Sequence, residues 1–283
     1  MKELRGKNAL ITGASRGIGP TIACALAGEG MNLILTARHL PALEQAAADA
    51  RKRGVRVSCY PADLLSPSDL AALVDRAETE SGGVAVLVNN AAMELARSYE
   101  LIEVEKLTDV VSLNLLAPMI LCRLLLPSMI RRREGHIVNI SSLSGLIGTP
   151  YEESYAASKH GLVGFSRSLR MSLRSDGHPI GVSVICPAPI RGAGMYESAS
   201  AVTGTTALAT IGSIPVPRIG RAVVRAIVSD QPEVVLSGMP ILPFLMTQVV
   251  SPRLAEKIVV AAGAPRMFKR WATASVRTRD PAE

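Results

Sequence analysis

Residues 8–19 read Asn8-Ala9-Leu10-Ile11-Thr12-Gly13-Ala14-Ser15-Arg16-Gly17-Ile18-Gly19. The run 8–12 is apolar enough for a buried strand and breaks at a glycine. Three glycines at GxxxGxG spacing then open a helical stretch over 18–30, which Gly28 and Gly30 end. Each glycine has a separate use: Gly13 lets the chain turn sharply, Gly17 removes side-chain bulk where a pyrophosphate approaches, and Gly19 lets helix and strand pack closely. The helix N-terminus offers free N–H groups and the positive end of its dipole to phosphates. Glycines at such spacing also occur in bare turns. Their position at the first strand–helix junction is what reads as a dinucleotide loop.

Outward from this junction the chain alternates strand and helix. Strands are expected at 8–12, 32–37, 55–60, 84–88, 136–140, 180–186 and 234–236. Helices are expected at 18–30, 40–53, from Ser66 or Ser68 to about 80, 103–129 with a bend near Pro118, 154–174 and 218–229. Residues 187–217 are rich in Gly, Ala, Ser, Thr and Pro and read as a long loop with one short helix. This rhythm means right-handed βαβ units and a parallel sheet. The expected fold is an α/β, Rossmann-type, doubly wound parallel sheet of about seven strands flanked by helices. It occupies residues 1–237, with an apolar and then basic C-terminal extension over 238–283. Hydrophobic residues make up 48% of the 283-residue chain and aromatics only 3%, so the core must be aliphatic, as parallel sheets covered on both faces require.

The net charge is +7, and seven basic residues against the single acid Glu256 lie between Arg253 and Arg279. The opening MKELRGKNALITG has no apolar stretch long enough for a signal peptide. Cys24, Cys59, Cys122 and Cys186 sit apart in apolar runs without metal-ligand spacing, and read as small buried hydrophobes in a reducing compartment. The expectation is a cytoplasmic protein with no metal. The uncharged stretch 234–252 is interrupted by Gly238, Pro240 and Pro243 and does not read as a membrane span.

The second strand ends Thr36-Ala37-Arg38, where a sheet that binds NAD usually offers a carboxylate to the ribose 2′-hydroxyl. Arg38 and Arg16 can instead clamp a 2′-phosphate, so NADP(H) is favoured over NAD(H). Asp63, followed by Leu64, is placed to meet the adenine edge. Asn89-Asn90-Ala91-Ala92 closes the fourth strand with small residues that let backbone approach the ribose.

The fifth strand delivers Ser141, Ser142 and Ser144 to the carboxyl end of the sheet, where open α/β folds bind ligands. Tyr155 follows Ser142 by thirteen residues, and of the five tyrosines only Tyr155 has lysine four residues on, at Lys159. On a helix these two share one face. Carbonyl reduction needs a hydride on carbon and a proton on oxygen. The Lys159 ammonium and an oxidised nicotinamide would lower the phenol pKa of Tyr155 and make it a proton shuttle. Ser142 would hold the substrate oxygen beside it, and Lys159 would also bond the nicotinamide ribose. Ser141, on the other strand face by alternation, is the alternative serine. Tyr151 is a candidate pocket residue, while His136, His160 and His178 are expected at the surface or in packing roles.

Gly13–Gly19, Asn89–Ala92, Ser142, Tyr155 and Lys159 together resemble the short-chain dehydrogenase/reductase family in its classical form, over about residues 5–237. The resemblance implies homodimers or homotetramers and a fourth catalytic member, Asn114, whose backbone carbonyl holds a water in a proton relay to the lysine. It implies cofactor contacts from Gly13, Ser15, Arg16, Gly17, Ile18, Gly19, Arg38, Asp63, Leu64, Asn90, Ala91, Tyr155, Lys159, Pro187 and Ile190. Three positions depart from the family pattern: Ala92 and Ala188 replace glycines, and Gly192 stands where a threonine is common.

The implied reaction interconverts a ketone or aldehyde with an alcohol. The apolar or small residues of the expected substrate loop (Met195, Tyr196, Ala199, Ala201, Val202, Leu208, Ile211) favour a hydrophobic substrate. The extension, with Phe244, Phe268 and Trp271 among its apolar residues and Lys and Arg beside them, suits a lid, a subunit contact or a peripheral segment on an anionic membrane. The rival reading is a catalytically silent nucleotide-sensing scaffold. Few aromatics accompany the basic tail, so nucleic acid is not an expected partner.

Overall fold

The computed structural model describes residues 1–204 and 212–274. The side chains of Ala199 and Val202, together with Leu208, Ile211, Arg277 and Arg279, lie outside the described residues. Seven strands form one parallel sheet: β1 (Asn8–Thr12), β2 (Asn32–Ala37), β3 (Val57–Pro61), β4 (Val86–Asn89), β5 (Gly135–Ile140), β6 (Ile180–Pro187) and, last in the chain, β9 (Glu233–Leu236). Their spatial order is β3-β2-β1-β4-β5-β6-β9. The chain winds outward from β1 to β3, then returns to lay β4 against the other side of β1. That reversal opens a crevice at the carboxyl ends of β1 and β4, the ligand position of doubly wound sheets.

Helices cover both faces. On one face α1 (Gly19–Gly28), α2 (Leu40–Arg51) and α8 (Pro217–Val228) bury Ile22, Leu26, Leu43, Ala47, Val223 and Ile227 against the sheet. On the other, α3 (Pro67–Ser81), α5 (Ala117–Arg132) and α6 (Glu153–Ser175) contribute Leu70, Leu73, Leu121, Leu125 and Leu173. Fully burying each large aliphatic side chain is worth about 1.5–3 kcal/mol. α3 starts on Ser66, whose hydroxyl accepts from the Asp69 amide at 3.3 Å.

Four expectations change in detail. β3 begins at Val57, because the β2–β3 ladder starts with Leu33 opposite Val57, and β4 begins at Val86. The long helix has two α segments, α4 (Val104–Val111) and α5, joined by a π-turn over Ser112–Leu116. Pro118 has no N–H and cannot donate to the carbonyl four residues earlier, which belongs to Asn114, so the expected bend takes this form. The loop after β6 holds two residues of strand, β7 (Ile190–Arg191), paired with β8 (Ile214–Pro215), and the helix α7 (Met195–Thr203). Finally, the uncharged run 234–252 splits into β9, a turn and α9 (Leu242–Val250). α10 (Pro252–Ala261) and α11 (Ala264–Ala274) follow. The extension joins the main core through Ile241, Phe244 and Leu245.

Candidate active site

The glycine loop stands at the crevice. Gly13 has φ +63°, and a Cβ there would come within 2.7 Å of the Ala91 Cα. A Cβ on Gly19 would strike the Gly13 carbonyl oxygen. The β1–α1 turn is therefore pressed against the segment after β4. Thr12 and Asn90 lock the two: the Thr12 hydroxyl accepts from the amides of Asn90 and Ala91, both at 3.0 Å, and Asn90 Nδ2 donates to the carbonyls of Thr12 (2.9 Å) and Gly13 (3.0 Å). Thr12 was not among the candidates expected from the sequence, although its place before Gly13 was in view.

The crevice fits a dinucleotide. No side chain caps the start of α1; the Gly19 amide donates to the Arg16 carbonyl at 3.3 Å and Pro20 has no N–H, so what this end offers a pyrophosphate is chiefly the positive end of the helix dipole. Beyond Gly17 the nearest atom is the Gly194 Cα at 3.6 Å from where a Cβ would stand. Asn90 Oδ1 is buried without a hydrogen-bond partner. Arg16 and Arg38 are exposed, and neither joins an ion pair among the described residues. Asp63 Oδ1 accepts from the Leu65 amide at 3.0 Å. Leu64, Ile18 and Pro187 are packed by their side chains, so only their backbones can meet a ligand. Ile190 pairs with Ile214, and the Gly192 amide donates to Glu197 Oε2 at 2.9 Å.

The β5 end, the π-turn and α6 converge on the same edge. Tyr155 is 6% exposed and Lys159 2%. The Lys159 Nζ lies 5.6 Å from the Tyr155 ring centroid and donates to the Ile140 carbonyl at 2.9 Å. Ser142 hydrogen-bonds the phenol, whereas Ser141 donates to the Lys159 carbonyl at 3.0 Å. The two serines thus take opposite sides, as strand alternation requires. Asn114 is fully buried, and its side chain is committed: Oδ1 accepts from the Met93 amide at 2.9 Å, while Nδ2 donates to the Met93 carbonyl (2.8 Å) and to Ser158 Oγ (3.1 Å). Only its backbone carbonyl is left for a relay.

The phenol of Tyr155 is not lowered in the chain itself. Burial pushes it well above its ordinary value, the carboxyl groups of Glu94 and Glu152 add to that, and the Ser142 hydrogen bond only partly opposes them. Burial also brings Lys159 down to about 8. Glu94 and Glu152 were missed from the sequence: 58 residues separate them, and no motif marks either.

An aromatic cluster forms around Tyr151, four residues before Tyr155. α11 buries Met267, Phe268 and Trp271 against Ala96, Tyr151 and Tyr196, and turns Arg266, Lys269 and Arg270 to solvent. The Trp271 ring stands 5.0 Å from Phe268 and 5.7 Å from Tyr196 of α7, both edge-on. His136 is buried and bonded to Ser183 at 2.8 Å; burial lowers it to about 4, a packing role.

The short chain dehydrogenase family profile matches residues 7–202. The ketoacyl reductase HetN of a Nostoc species is 36% identical over 91% of this chain and 90% of its own length. The D-beta-hydroxybutyrate dehydrogenase of Cupriavidus necator is 32% identical over 65% of this chain and 70% of its own. A metagenomic short-chain oxidoreductase crystallised with NADP is 31% identical, with a TM-score of 0.69 over 82% of this chain and 97% of that one.

Proposed function

The chain belongs to the short-chain dehydrogenase family, nicotinamide-dependent oxidoreductases of CH–OH groups, and from that premise we propose that it interconverts a hydrophobic ketone or aldehyde with its alcohol, using NADP(H) and Tyr155 as the proton donor and acceptor. The observation that carries this reading is the convergence of Ser142 with the buried Tyr155 and Lys159 at the carboxyl edge of the sheet. The bound nicotinamide supplies the hydride and, when oxidised, a positive ring that favours phenolate. The chain's own residues do the rest. Ser142 positions the substrate oxygen, Tyr155 Oη delivers the proton to it, and Lys159 with the Asn114 carbonyl returns a proton to the phenol from water. Tyr155→Phe keeps this geometry and removes the proton. It is expected to bind NADPH normally and lose nearly all turnover; activity within tenfold of the unaltered protein sinks the role. Nucleotide binding without any carbonyl or alcohol turnover by the unaltered protein would instead favour a silent nucleotide-binding scaffold.

The preference for NADP(H) rests on Arg16 and Arg38 and on the missing acid after β2. The metagenomic relative's NADP complex is consistent with it. Arg38→Asp should weaken NADPH far more than NADH, and an unchanged preference ratio removes Arg38 from the cofactor site. The hydrophobic substrate rests on the aromatic wall that α11 and α7 place beside Tyr151. In this reading residues 1–237 are the catalytic domain and 238–283 its lid. Exposed Val104, Val111, Leu116 and Met119 on α4–α5 and Met171 on α6 support a homodimer or homotetramer joined through those helices. On the far side of the lid, Leu242, Met246, Val249, Val250 and Leu254 are exposed beside Arg253 and Lys257, which supports a cytoplasmic protein peripheral to an anionic membrane. Val249→Glu/Val250→Glu should then abolish co-sedimentation with anionic liposomes.

A further inference from the structure

On α9 the residues Leu242, Met246, Val249 and Val250 recur at i, i+4, i+7 and i+8, the spacing of a single helix face. In a globular protein such a face points inward. Here all four side chains are exposed, Val249 and Val250 at 79% and 78%, and no residue of α9 is fully buried. α10 continues the surface with exposed Leu254 and Ile258, four residues apart. The other side of α10 is seated on the body: Ala255 is buried, and Val259 packs against the cluster of Met267, Phe268 and Trp271. That cluster also holds Tyr151 and Tyr196. Adjacent residues of one helix, Ile258 and Val259, thus belong one to the outer apolar face and the other to the cluster around Tyr151.

The same helices carry the charge. Arg253 and Lys257 on α10 and Arg266, Lys269 and Arg270 on α11 are exposed, and among the described residues none of them joins an ion pair. Over residues 239–274 they are set against one acid, Glu256. A second copy docked face to face would bring these bases against their own kind, and an uncharged partner would leave them unmatched. Exposed apolar side chains beside unpaired bases match an anionic lipid surface, which takes the first among its acyl chains and the second among its headgroups.

We propose that the substrate is a carbonyl compound dissolved in an anionic bilayer, on which α9–α10 docks, and that it is taken up past α10 and α11 rather than from bulk water. The inference rests on the oxidoreductase reading above and names the source of its substrate. Each methylene of an aliphatic ketone favours lipid over water by about fourfold, so a ketone with about a dozen of them is almost absent from the aqueous phase. On the way from acyl chains to the cluster of Val259, Met267, Phe268, Trp271 and Tyr151 it stays among apolar groups. A protein adsorbed on the bilayer meets such a ketone at its concentration in lipid; a protein in solution does not.

The test uses the full-length protein, NADPH and two methyl ketones: 2-hexanone, which dissolves in water, and 2-pentadecanone, carried in vesicles. The vesicles are phosphatidylcholine alone or an equal mixture with phosphatidylglycerol. Turnover of 2-pentadecanone should be at least about tenfold faster on the mixed vesicles, and the gain should fade in about 0.5 M salt. Reduction of 2-hexanone should be the same, within roughly twofold, with either vesicle or with none. Val249→Glu/Val250→Glu should lose the vesicle gain and keep 2-hexanone turnover, which also shows that the variant is folded. Arg266→Glu/Lys269→Glu/Arg270→Glu, on the solvent side of α11, is the second variant and should behave alike. Co-sedimentation with the mixed vesicles, a readout independent of turnover, should be lost together with the gain. Equal rates on the two kinds of vesicle, or a gain that survives in both variants, overturns the bilayer route, while 2-hexanone turnover leaves the oxidoreductase reading standing. A dimer that Val249→Glu/Val250→Glu abolishes, with no vesicle binding by the unaltered protein, gives the face to a second copy and overturns it too. No turnover of either ketone, with or without vesicles, overturns the functional reading beneath it.

Discussion

α6 buries cationic side chains at its two ends in opposite ways. At the carboxyl-terminal end Arg170 forks onto Asp230, Nη1 to Oδ1 at 2.7 Å and Nη2 to Oδ2 at 2.8 Å, and the other two Nη hydrogens reach the carbonyls of Val182 and Asp230, both at 2.9 Å. At the amino-terminal end Lys159 is equally buried, yet its only hydrogen-bond acceptor among the described residues is the Ile140 carbonyl. No Asp or Glu among the described residues forms an ion pair with it. Arg170 has its four Nη hydrogens matched and a full counter-charge, which is how a buried cation is kept for structure. Lys159, Tyr155 and Glu152 stand without matching counter-charge, which a fold tolerates where chemistry needs it. Buried charge by itself therefore says little about function; the balance of that charge separates the two ends.

The contrast can be broken by substitution. Lys159→Met should lose about a thousandfold or more in turnover while raising the melting temperature. The sign follows from the folded value near 8, below the ordinary 10.5. The unfolded chain binds the proton more tightly, so stability increases as pH rises from about 8 to 10.5, and at pH 7 the buried ammonium costs at most about 3 kcal/mol. Calorimetry at pH 7 and pH 10 should show the variant's advantage shrink; a lower melting temperature at pH 7 would end the comparison. Arg170→Ala should do the reverse, destabilising by about 2–3 kcal/mol in denaturant unfolding, with kcat/KM of the folded fraction unchanged within twofold. Arg174, which reaches Asp230 Oδ2 at 3.0 Å from a largely solvated position, marks the small end. Arg174→Ala should cost about 0.5 kcal/mol or less.

What the sequence made legible was local. The β1 run meeting Gly13, the Tyr155–Lys159 spacing and the serines after β5 each fit within a single strand–turn or helix pattern, so periodicity and glycine chemistry find them. Ser142 could be told from Ser141 by alternation alone. The bend near Pro118 was legible as a bend, but its form was not, because a π-turn depends on what Asn114 must reach across the fold, namely Met93 and Ser158. The Glu94–Glu152 contact belongs to no local pattern: one acid lies after β4 and the other before α6, and only the closed sheet brings them together. The extension was read as apolar and then basic, which is true of its composition. Its segregation into a buried Met267–Phe268–Trp271 face and a basic outer face emerges only once α7 is there to pack against.

Trp271 is the single tryptophan of the chain, and it rests edge-on against Tyr196 of the helix beside the reaction centre. Its ultraviolet emission therefore reports from one place without labelling. Any movement of α11 relative to α7 alters the polarity around that indole, and a reduced nicotinamide held in the crevice absorbs in the range where an indole emits. The protein carries its own optical gauge of α11 and of the crevice, readable in a cuvette before a substrate is known.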